Sequence, residues 1–512
     1  MVKADERFYN DLDQLNEASH KFENKEITPA EYKAISGGFG NYPQKGNEKL
    51  MLRLRLTGGR LQKEQMQCII QCCKKHSVEN MKVTTCQSLQ LHDLTNEAVR
   101  DITKTVLDVN IVTRGGGGNH PRNVMASPLS GTDKNEYFNV LPYAEAAGKY
   151  LLQFAGIHKF PRKLKVGFSS SPENITHVTF RDLGFAANPD KTFNVYAAGG
   201  LGNNPKLGVF IDKNVDPEDI LYYIKAMIDL FTEYGNYQNR AKARTRYLQE
   251  TLGQDKIKEL FLENVCKLKE TEDLKLTVED TKINKSSDTS IQETSRIKEQ
   301  KQKNLYSVYY HPVGGFLTTD KFEEIYNTIE NFNEVEIRLS PDGGMYIINC
   351  TSEEALKAAE VTNDSAVTQF QCSVSCVGQQ RCSIGICDSQ QLLKNCLEYV
   401  SKYNFKDGVL PKMHISGCVS SCSAHQSAPL GFRGMMKRTD EGVKPAFCVY
   451  FGGCEEQNNE ILSESNEFIL AEKIPEFIAK LGTLISESNS TYSQWIKTNS
   501  QAMKDLIADY SL

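Results

Sequence analysis

Four cysteines in the second half of the chain have a spacing that suits metal chemistry. Cys376 and Cys382 are separated by five residues in SCVGQQRC, and Cys418 and Cys422 by three in GCVSSC. Thiolates delivered by two loops can hold either an iron–sulfur cluster or a structural zinc ion. Zinc pairs favour about two to four intervening residues, which the second pair satisfies and the first does not. A cluster is larger than an ion and accepts the wider bite. The spacing therefore favours a cluster and leaves zinc, or unligated core thiols, as alternatives. The small neighbours Gly378, Ser416, Gly417, Ser420 and Ser421 let backbone N–H groups approach sulfur.

The first half carries a second constellation, of cations. In KLMLRLRL (49–56) the leucines at 50, 52, 54 and 56 share one strand face, so Arg53 and Arg55 share the other. In FPRKLKVGF (160–168) Lys163 and Lys165 point together, opposite Leu164 and Val166. Between them TRGGGGNHPRNV (113–124) supplies Arg122. Taken singly such residues are ordinarily solvated. Three sites in one half predict a pocket for a small anion. Neither Gly115–Gly118 nor GGLGNNP (199–205) fits the dinucleotide pattern G-x-G-x-x-G, so electrons are expected from another protein.

Composition sets the frame. With 512 residues, 39% hydrophobic, and 60 basic against 65 acidic side chains for a net charge of −5, the chain reads as globular and not as a general nucleic-acid binder. No apolar run reaches the ~18 residues of a membrane span. The start, MVKADERFYNDLDQ, lacks the apolar core of a secretory signal, so the expected location is the cytosol. Fifteen cysteines in that compartment argue for metal, cluster or catalytic chemistry before disulfides. Cys68, Cys72, Cys73, Cys350, Cys396 and Cys448 read as buried core thiols, and Cys372 and Cys387, flanking the first pair, as the alternative ligands.

The elements that must position these groups are written twice. KLMLRLRL, Gly58-Gly59 and the helical spacing Met66, Ile69, Ile70, Cys73 recur 256 residues later as SVYYHPV, Gly314-Gly315 and Phe322, Ile325, Tyr326, Ile329. Asp320 and Glu323 form a capping-box pattern, and Thr95 and Thr351 are expected N-caps. Leu183-Gly184-Phe185 answers Leu430-Gly431-Phe432, and Gly199-Gly200 answers Gly452-Gly453. Asp216-Pro217 and Gly235 bracket a helix. Strands mixed with helices predict an α+β fold. The charged segment 267–304 is expected to be a mobile or partly helical linker.

CVGQQRC with GCVSSC, PRNVMASPLSG, FPRKLK followed by FRDLGF, and GGLGNNPKLGV together resemble the siroheme- and 4Fe-4S-containing sulfite and nitrite reductase family over nearly the whole chain outside the linker. The resemblance implies an α+β, pseudo-two-fold duplicated chain. Its parts would be an N-terminal extension (1–44), a ferredoxin-like half-domain (45–110), a first reductase domain on the anion and siroheme side (111–266), the linker (267–304), a second ferredoxin-like half-domain (305–362) and a second reductase domain holding the cluster (363–512). It assigns Cys376, Cys382, Cys418 and Cys422 to the 4Fe-4S cluster, with Cys422 also the axial ligand of the siroheme iron. Arg53, Arg122, Lys163 and Lys165 fall on the catalytic cations. Lys82, Thr84, Gln87, Gln90, Asn123 and Arg162 fall on siroheme contacts. Two departures stand out: Cys86 replaces a usual arginine, with Arg55, Arg114 or Arg162 as compensating cations, and Val419-Ser420 replace Pro-Asn.

The resemblance implies six-electron reduction of sulfite to sulfide, a step of sulfur assimilation, because Lys-x-Lys at 163–165 matches sulfite reductases where nitrite reductases often show Lys-x-Asn. Nitrite reduction to ammonia is the alternative. A non-catalytic iron–sulfur electron carrier and a zinc-stabilised interaction protein are more distant, since neither uses the cations. The expected donor is a ferredoxin or another low-potential protein, including a flavoprotein, with Arg433, Lys437 and Arg438 as candidate contacts. Neither nucleic acid nor membrane is expected as a partner.

Overall fold

The computed structural model describes residues 3–279 and 282–511, and it divides into two compact units. The first comprises 1–200, 206–310 and 316–363, and the second 201–205, 311–315 and 364–512. Positions 280 and 281, inside the predicted linker, lie outside the described residues.

Two antiparallel five-stranded sheets in the first unit contain the ferredoxin-like halves. One runs in the order Asn41–Pro43, Leu50–Arg55, Ser88–Leu94, Asn80–Val83, Phe316–Thr318. The other runs Ile297–Glu299, Tyr306–Tyr310, Met345–Cys350, Glu336–Leu339, Arg60–Leu61. Each sheet is completed by a short strand from the opposite half: Phe316 pairs with Lys82, and Arg60 with Arg338. Their leucine, isoleucine and valine faces merge into one core with the helices Lys63–Lys75, Asn96–Thr105, Thr319–Ile329 and Ser352–Val361.

Helix caps follow the sequence with one exception. Thr95 Oγ1 accepts the Ala98 N–H at 3.1 Å, and Thr351 forms a reciprocal box with Glu354. At the helix Thr319–Ile329 the cap is Thr318, whose Oγ1 accepts the Lys321 N–H at 3.1 Å, rather than the expected Asp320. Threonine in extended conformation just before the helix aims its hydroxyl at the first free N–H groups, while Asp320 already lies within the first turn. The predicted linker is also more ordered than its composition suggested. It opens with the end of the helix Gln254–Thr271, and Ile297–Glu299 adds to a sheet edge because Ile297 is buried against the core.

The remaining two sheets, one per unit, share a topology. Met125–Ala126, Val166–Ser169 and Leu183–Ala187 are parallel, and Phe193–Ala197 and Val209–Val215 follow antiparallel. In the second unit Val374–Ser375, Met413–Ser416 and Leu430–Thr439 are parallel, and Gly442–Phe451 and Phe468–Leu470 antiparallel. Registers agree at an offset of 247: Val166 faces Leu183 as Met413 faces Leu430. The pairing of later glycines differs by one from the sequence reading. Gly199 N–H bonds to Arg181 O and Gly453 N–H to Ala428 O, so Gly199 corresponds to Gly453, and Ala198 to Gly452.

Close packing explains one invariant of the repeat. A Cβ on Gly184 would sit 1.9 Å from Val178 O, and one on Gly431 would sit 2.0 Å from His425 O. Gly431→Ala should therefore destabilise the protein by about 3 kcal/mol or more, read as a lowered denaturation midpoint. Gly167→Ala, whose Cβ would first meet Val178 Cγ1 at 3.4 Å, should stay within about 1 kcal/mol.

Candidate functional site

The cationic set is assembled by a clasp between two segments. Arg122 N–H donates to Leu164 O at 2.8 Å, Leu164 N–H donates to His120 O at 3.3 Å, and Pro121 and Leu164 form a parallel bridge. The PRN and PRKLK segments therefore run side by side. Arg122 and Arg53 meet on one carbonyl: Arg53 Nη1 donates to Gly116 O at 2.5 Å and Arg122 Nη1 at 3.2 Å, with Arg122 Nη2 on Gly118 O at 2.8 Å. The glycine run is needed for this. A Cβ at Gly117 would lie 2.2 Å from Gly37 O and 2.3 Å from the Tyr42 hydroxyl.

Arg55 lies on the same strand face as Arg53 but is buried. It braces the loop by donating to Arg114 O at 2.7 Å and Arg122 O at 3.2 Å. Burial, with Arg122 nearby, pushes it down to about 9. Arg114 is held by Asp11 and the Phe39 ring, and Arg162 Nη1 donates to Asn119 Oδ1 at 3.2 Å. Lys165 donates its backbone N–H to Asp182 Oδ2 at 2.9 Å and extends its ammonium to within 3.3 Å of Cys86 Sγ. Lys163 is half-buried between Arg162 and Leu164.

The electrostatics of this region are those of too many cations. Burial pushes Arg122 down to about 10, with Arg53 and Arg162 adding repulsion against the opposing pull of Tyr42. Arg162 also falls to about 10, through burial and then Arg240 and Arg244. His120 drops to about 4, through burial and then Arg114, Arg122 and Arg55, so it is neutral. Burial would raise Tyr42, but Arg122 and Arg53 outweigh it and hold the phenol below its ordinary value. The buried carboxylate here is Asp182, which accepts from Arg244 Nη2 at 3.0 and 3.1 Å and from the Thr245 hydroxyl. Tyr42, Arg181, Asp182 and Arg244 were not singled out in the sequence. The charges in FRDLGF pointed to Arg181 and Asp182 and the aromatic in GNYPQ to Tyr42, while nothing local marked Arg244.

The segment MKVTTCQSLQLH lies in a hairpin: Asn80–Val83 and Ser88–Leu94 with Cys86 at the tip. Thr84 Oγ1 accepts the N–H groups of Cys86 (3.3 Å) and Ser88 (3.1 Å), and Gln87 takes φ +52°, which turns the chain back. Arg53, Gln90 and Lys82 form one row across the sheet. The Lys82 ammonium sits 4.4 Å from the Phe316 ring centre. Gln87 is fully buried and ties Ala126 N–H and the carbonyls of Ala126 and Leu339. Asn123 Nδ2 donates to Leu56 O, Cys86 O and Gln87 O, while its buried Oδ1 has no donor.

In the second unit the cysteine loops surround Gly417. Its N–H donates to Cys376 Sγ at 3.2 Å, and its carbonyl accepts from Ile386 and Cys387. Burial, then the neighbouring Cys376 and Cys418 sulfurs, raise Cys382, so these three lie within one another's field. Cys418 is buried, Cys376 and Cys382 half-buried, and Cys422 exposed. Cys387 donates to the carbonyls of Met435 (3.2 Å) and Ala446 (3.7 Å), as a structural thiol does. Among the described residues no group of three or more His, Cys, Asp or Glu side chains is gathered to hold a single metal ion. Arg433 donates to Cys448 Sγ at 3.1 Å, Lys437 lies over the Phe468 ring, and Arg438 is exposed.

The duplicate loop gives this geometry a reference. Ser170 N–H donates to Ser127 Oγ at 2.9 Å in the first copy, where Gly417 N–H donates to Cys376 Sγ in the second. Asn174 and Ser421 both have φ +51°, and His177 and Ala424 have φ +60° and +58°. Cys376, Cys418 and Cys422 therefore occupy the places of Ser127, Ser171 and Ile175 on a shared backbone. Ser421 Oγ, between two of the cysteines, is buried without a partner, whereas Asn174 Oδ1 accepts the Val178 N–H at 2.7 Å.

Residues 42–109 match the nitrite/sulfite reductase ferredoxin-like half domain, and residues 117–269 the nitrite and sulphite reductase 4Fe-4S domain. Both matches lie in the first copy. An assimilatory ferredoxin-dependent nitrite reductase of Haloferax mediterranei is 22% identical over 510 residues, spanning 92% of this chain and 86% of the relative. The chloroplastic ferredoxin–nitrite reductase of Spinacia oleracea is 26% identical over 79% of this chain and 70% of the relative. A sulfite reductase [ferredoxin] of Mycolicibacterium paratuberculosis is 23% identical over 79% and 73%. The fold is similar to that of the Mycobacterium tuberculosis NirA protein, with a TM-score of 0.78 at 19% identity over 92% of this chain and 90% of that one.

Asp182 balances the cations from within. Asp182→Asn should cost about 3–5 kcal/mol of unfolding free energy in a denaturant titration, because Arg244 would keep its charge without its counter-ion.

Proposed function

The chain belongs to the nitrite and sulfite reductase family, oxidoreductases that carry a siroheme and a 4Fe-4S cluster, and from that premise we propose that it reduces a small oxyanion by six electrons, sulfite to sulfide or nitrite to ammonia. The observation that supports this best is the surplus of half-buried cations around 113–124, with one buried carboxylate among them.

The residues present fit both groups. Buried Arg122 Nε and Arg244 Nε lack acceptors, which suits an acceptor-rich, carboxylate-bearing macrocycle. Lys82, Thr84, Gln87, Gln90, Asn123 and Arg162 are the proposed contacts, with Gln87 and Thr84 acting through the hairpin they shape. Cys376 Sγ accepts the Gly417 N–H at 3.2 Å, the kind of hydrogen bond that tunes a cluster-ligating sulfur. Cys376, Cys382, Cys418 and Cys422 would hold the cluster, and the exposed Cys422 would also be a ligand shared with the siroheme. When bound, the two groups would supply the reducing electrons.

Arg53, Arg122, Lys163 and Lys165 do the rest. Their charge draws in the anion, and their N–H groups offset the charge that accumulates as electrons arrive. Each oxygen that leaves as water needs two protons. Cys86 raises Lys165, but burial together with Arg181 and Arg244 outweighs it and leaves the ammonium below its ordinary value, hence a stronger acid for that transfer. The two-lysine pattern supports sulfite as substrate. The contact of Lys165 with Cys86 supports nitrite, because it engages the second ammonium. The donor is proposed to be a ferredoxin, and Arg438 remains an exposed contact for it. No helix among the described residues is long and apolar enough to cross a membrane.

Protein purified without oxygen should show siroheme absorption bands together with iron and acid-labile sulfide. Their absence rejects this reading, and steady-state rates with both anions under one donor rank the substrates. Arg122→Gln should keep the spectrum and lower kcat/KM by about a hundredfold.

A further inference from the structure

Cys86, at the tip of the hairpin, places a thiol against the Lys165 ammonium among the cations of the pocket. The hairpin fixes where that thiol points. Thr84 Oγ1 holds the Cys86 N–H, Asn123 Nδ2 holds its carbonyl at 3.0 Å, and Sγ lies 3.3 Å from Lys165 Nζ. The charged groups that act on it most strongly are cations: Lys165, Arg181 and Arg53, with Arg122 also in its field. The nearby carboxylate, Asp182, is engaged by Arg244, Thr245 and the Lys165 backbone. Cys86 is half-buried, so the contact is weakly screened by water and open to small reagents.

We propose that Cys86 is the counter-ion of Lys165 in the oxyanion pocket and sets its preference toward singly charged anions, such as nitrite, over doubly charged ones, such as sulfite. This rests on the pocket reading above. A thiolate beside the ammonium lowers the local charge by one unit relative to a neutral side chain in its place. A dianion feels that loss twice as strongly as a monoanion of the same size. Lys165 thereby keeps its proton for transfer while its attraction for substrate is largely cancelled. Protonation supports this picture. Burial would raise the thiol, but Lys165, Arg181 and Arg53 bring it down to about 6, so it is ionised at neutral pH and becomes neutral as pH falls below that value.

Two measurements on the holoenzyme test the proposal separately from the family reading. At pH 8, where sulfite is mostly dianionic, Cys86→Ser should raise the ratio of kcat/KM for sulfite to that for nitrite by about tenfold, with Cys86→Ala giving the same direction. Iodoacetamide labelling followed by mass spectrometry should show Cys86 reacting with a midpoint near pH 6, moving upward in Lys165→Gln. An unchanged ratio in both variants overturns the proposal. So does a midpoint in the ordinary thiol range, or a Cys86 that stays unlabelled while the exposed Cys266 is modified. A wild-type enzyme that reduces neither anion instead defeats the family reading, while the labelling still decides whether the thiolate exists.

Discussion

Like charges held partly out of water repel one another and lose hydration, and the first unit gathers Arg53, Arg55, Arg122, Arg162, Lys165, Arg181 and Arg244 around one buried carboxylate. Such a set persists only where the backbone holds it. Carbonyls of Gly116, Gly118, Arg114 and Arg122 receive the guanidinium N–H groups, so the loop satisfies hydrogen bonds without neutralising charge. Hydrogen-bonded cations that outnumber their counter-ions attract anions. The clasp between residues 120–122 and 164, the glycine run and the Thr84 turn all serve to keep those donors in place.

The second unit uses the same backbone for a different purpose. Where the first copy places Ser127, Ser171 and Ile175, the second places Cys376, Cys418 and Cys422, and the N–H that reaches a serine oxygen in one reaches sulfur in the other. A loop already shaped by two left-handed residues needs only a change of side chain to offer soft ligands in place of hard ones. The two copies thus present different groups from one backbone: cations in the first, cysteine side chains in the second.

Much of this was legible because charge and apolar periodicity survive in sequence. The alternation in KLMLRLRL gave the strand and its two arginines, and the 256-residue repeat gave the paired halves. The caps at Thr95 and Thr351 were visible because each threonine stands directly before a helical segment. What escaped depended on partners distant in the chain. Asp182 is an ordinary acid in FRDLGF until Arg244, sixty-two residues on, turns toward it. Gln87 reads as a polar strand residue, yet it lies at a left-handed turn and spends its amide on Ala126 and Leu339. The strand at Ile297–Glu299 hid in a charged segment because a three-residue edge needs only one buried isoleucine. The one-residue shift from Gly199-Gly200 to Ala198-Gly199 escaped because glycine letters align more readily than hydrogen bonds.

The exchange of edge strands between the two ferredoxin-like halves bears on how the chain is made. The first half cannot complete its sheet until Phe316–Thr318 has been synthesised, more than two hundred residues after Asn80–Val83. Until then the Asn80–Val83 edge carries unpaired N–H and C=O groups into the cytosol-like surroundings of the ribosome, where such an edge invites mispairing. The reverse donation is ready in advance, since Arg60–Leu61 already waits when Glu336–Leu339 appears. Both sheets therefore close through contacts far apart in the sequence, and truncation between the halves would leave an open edge on each.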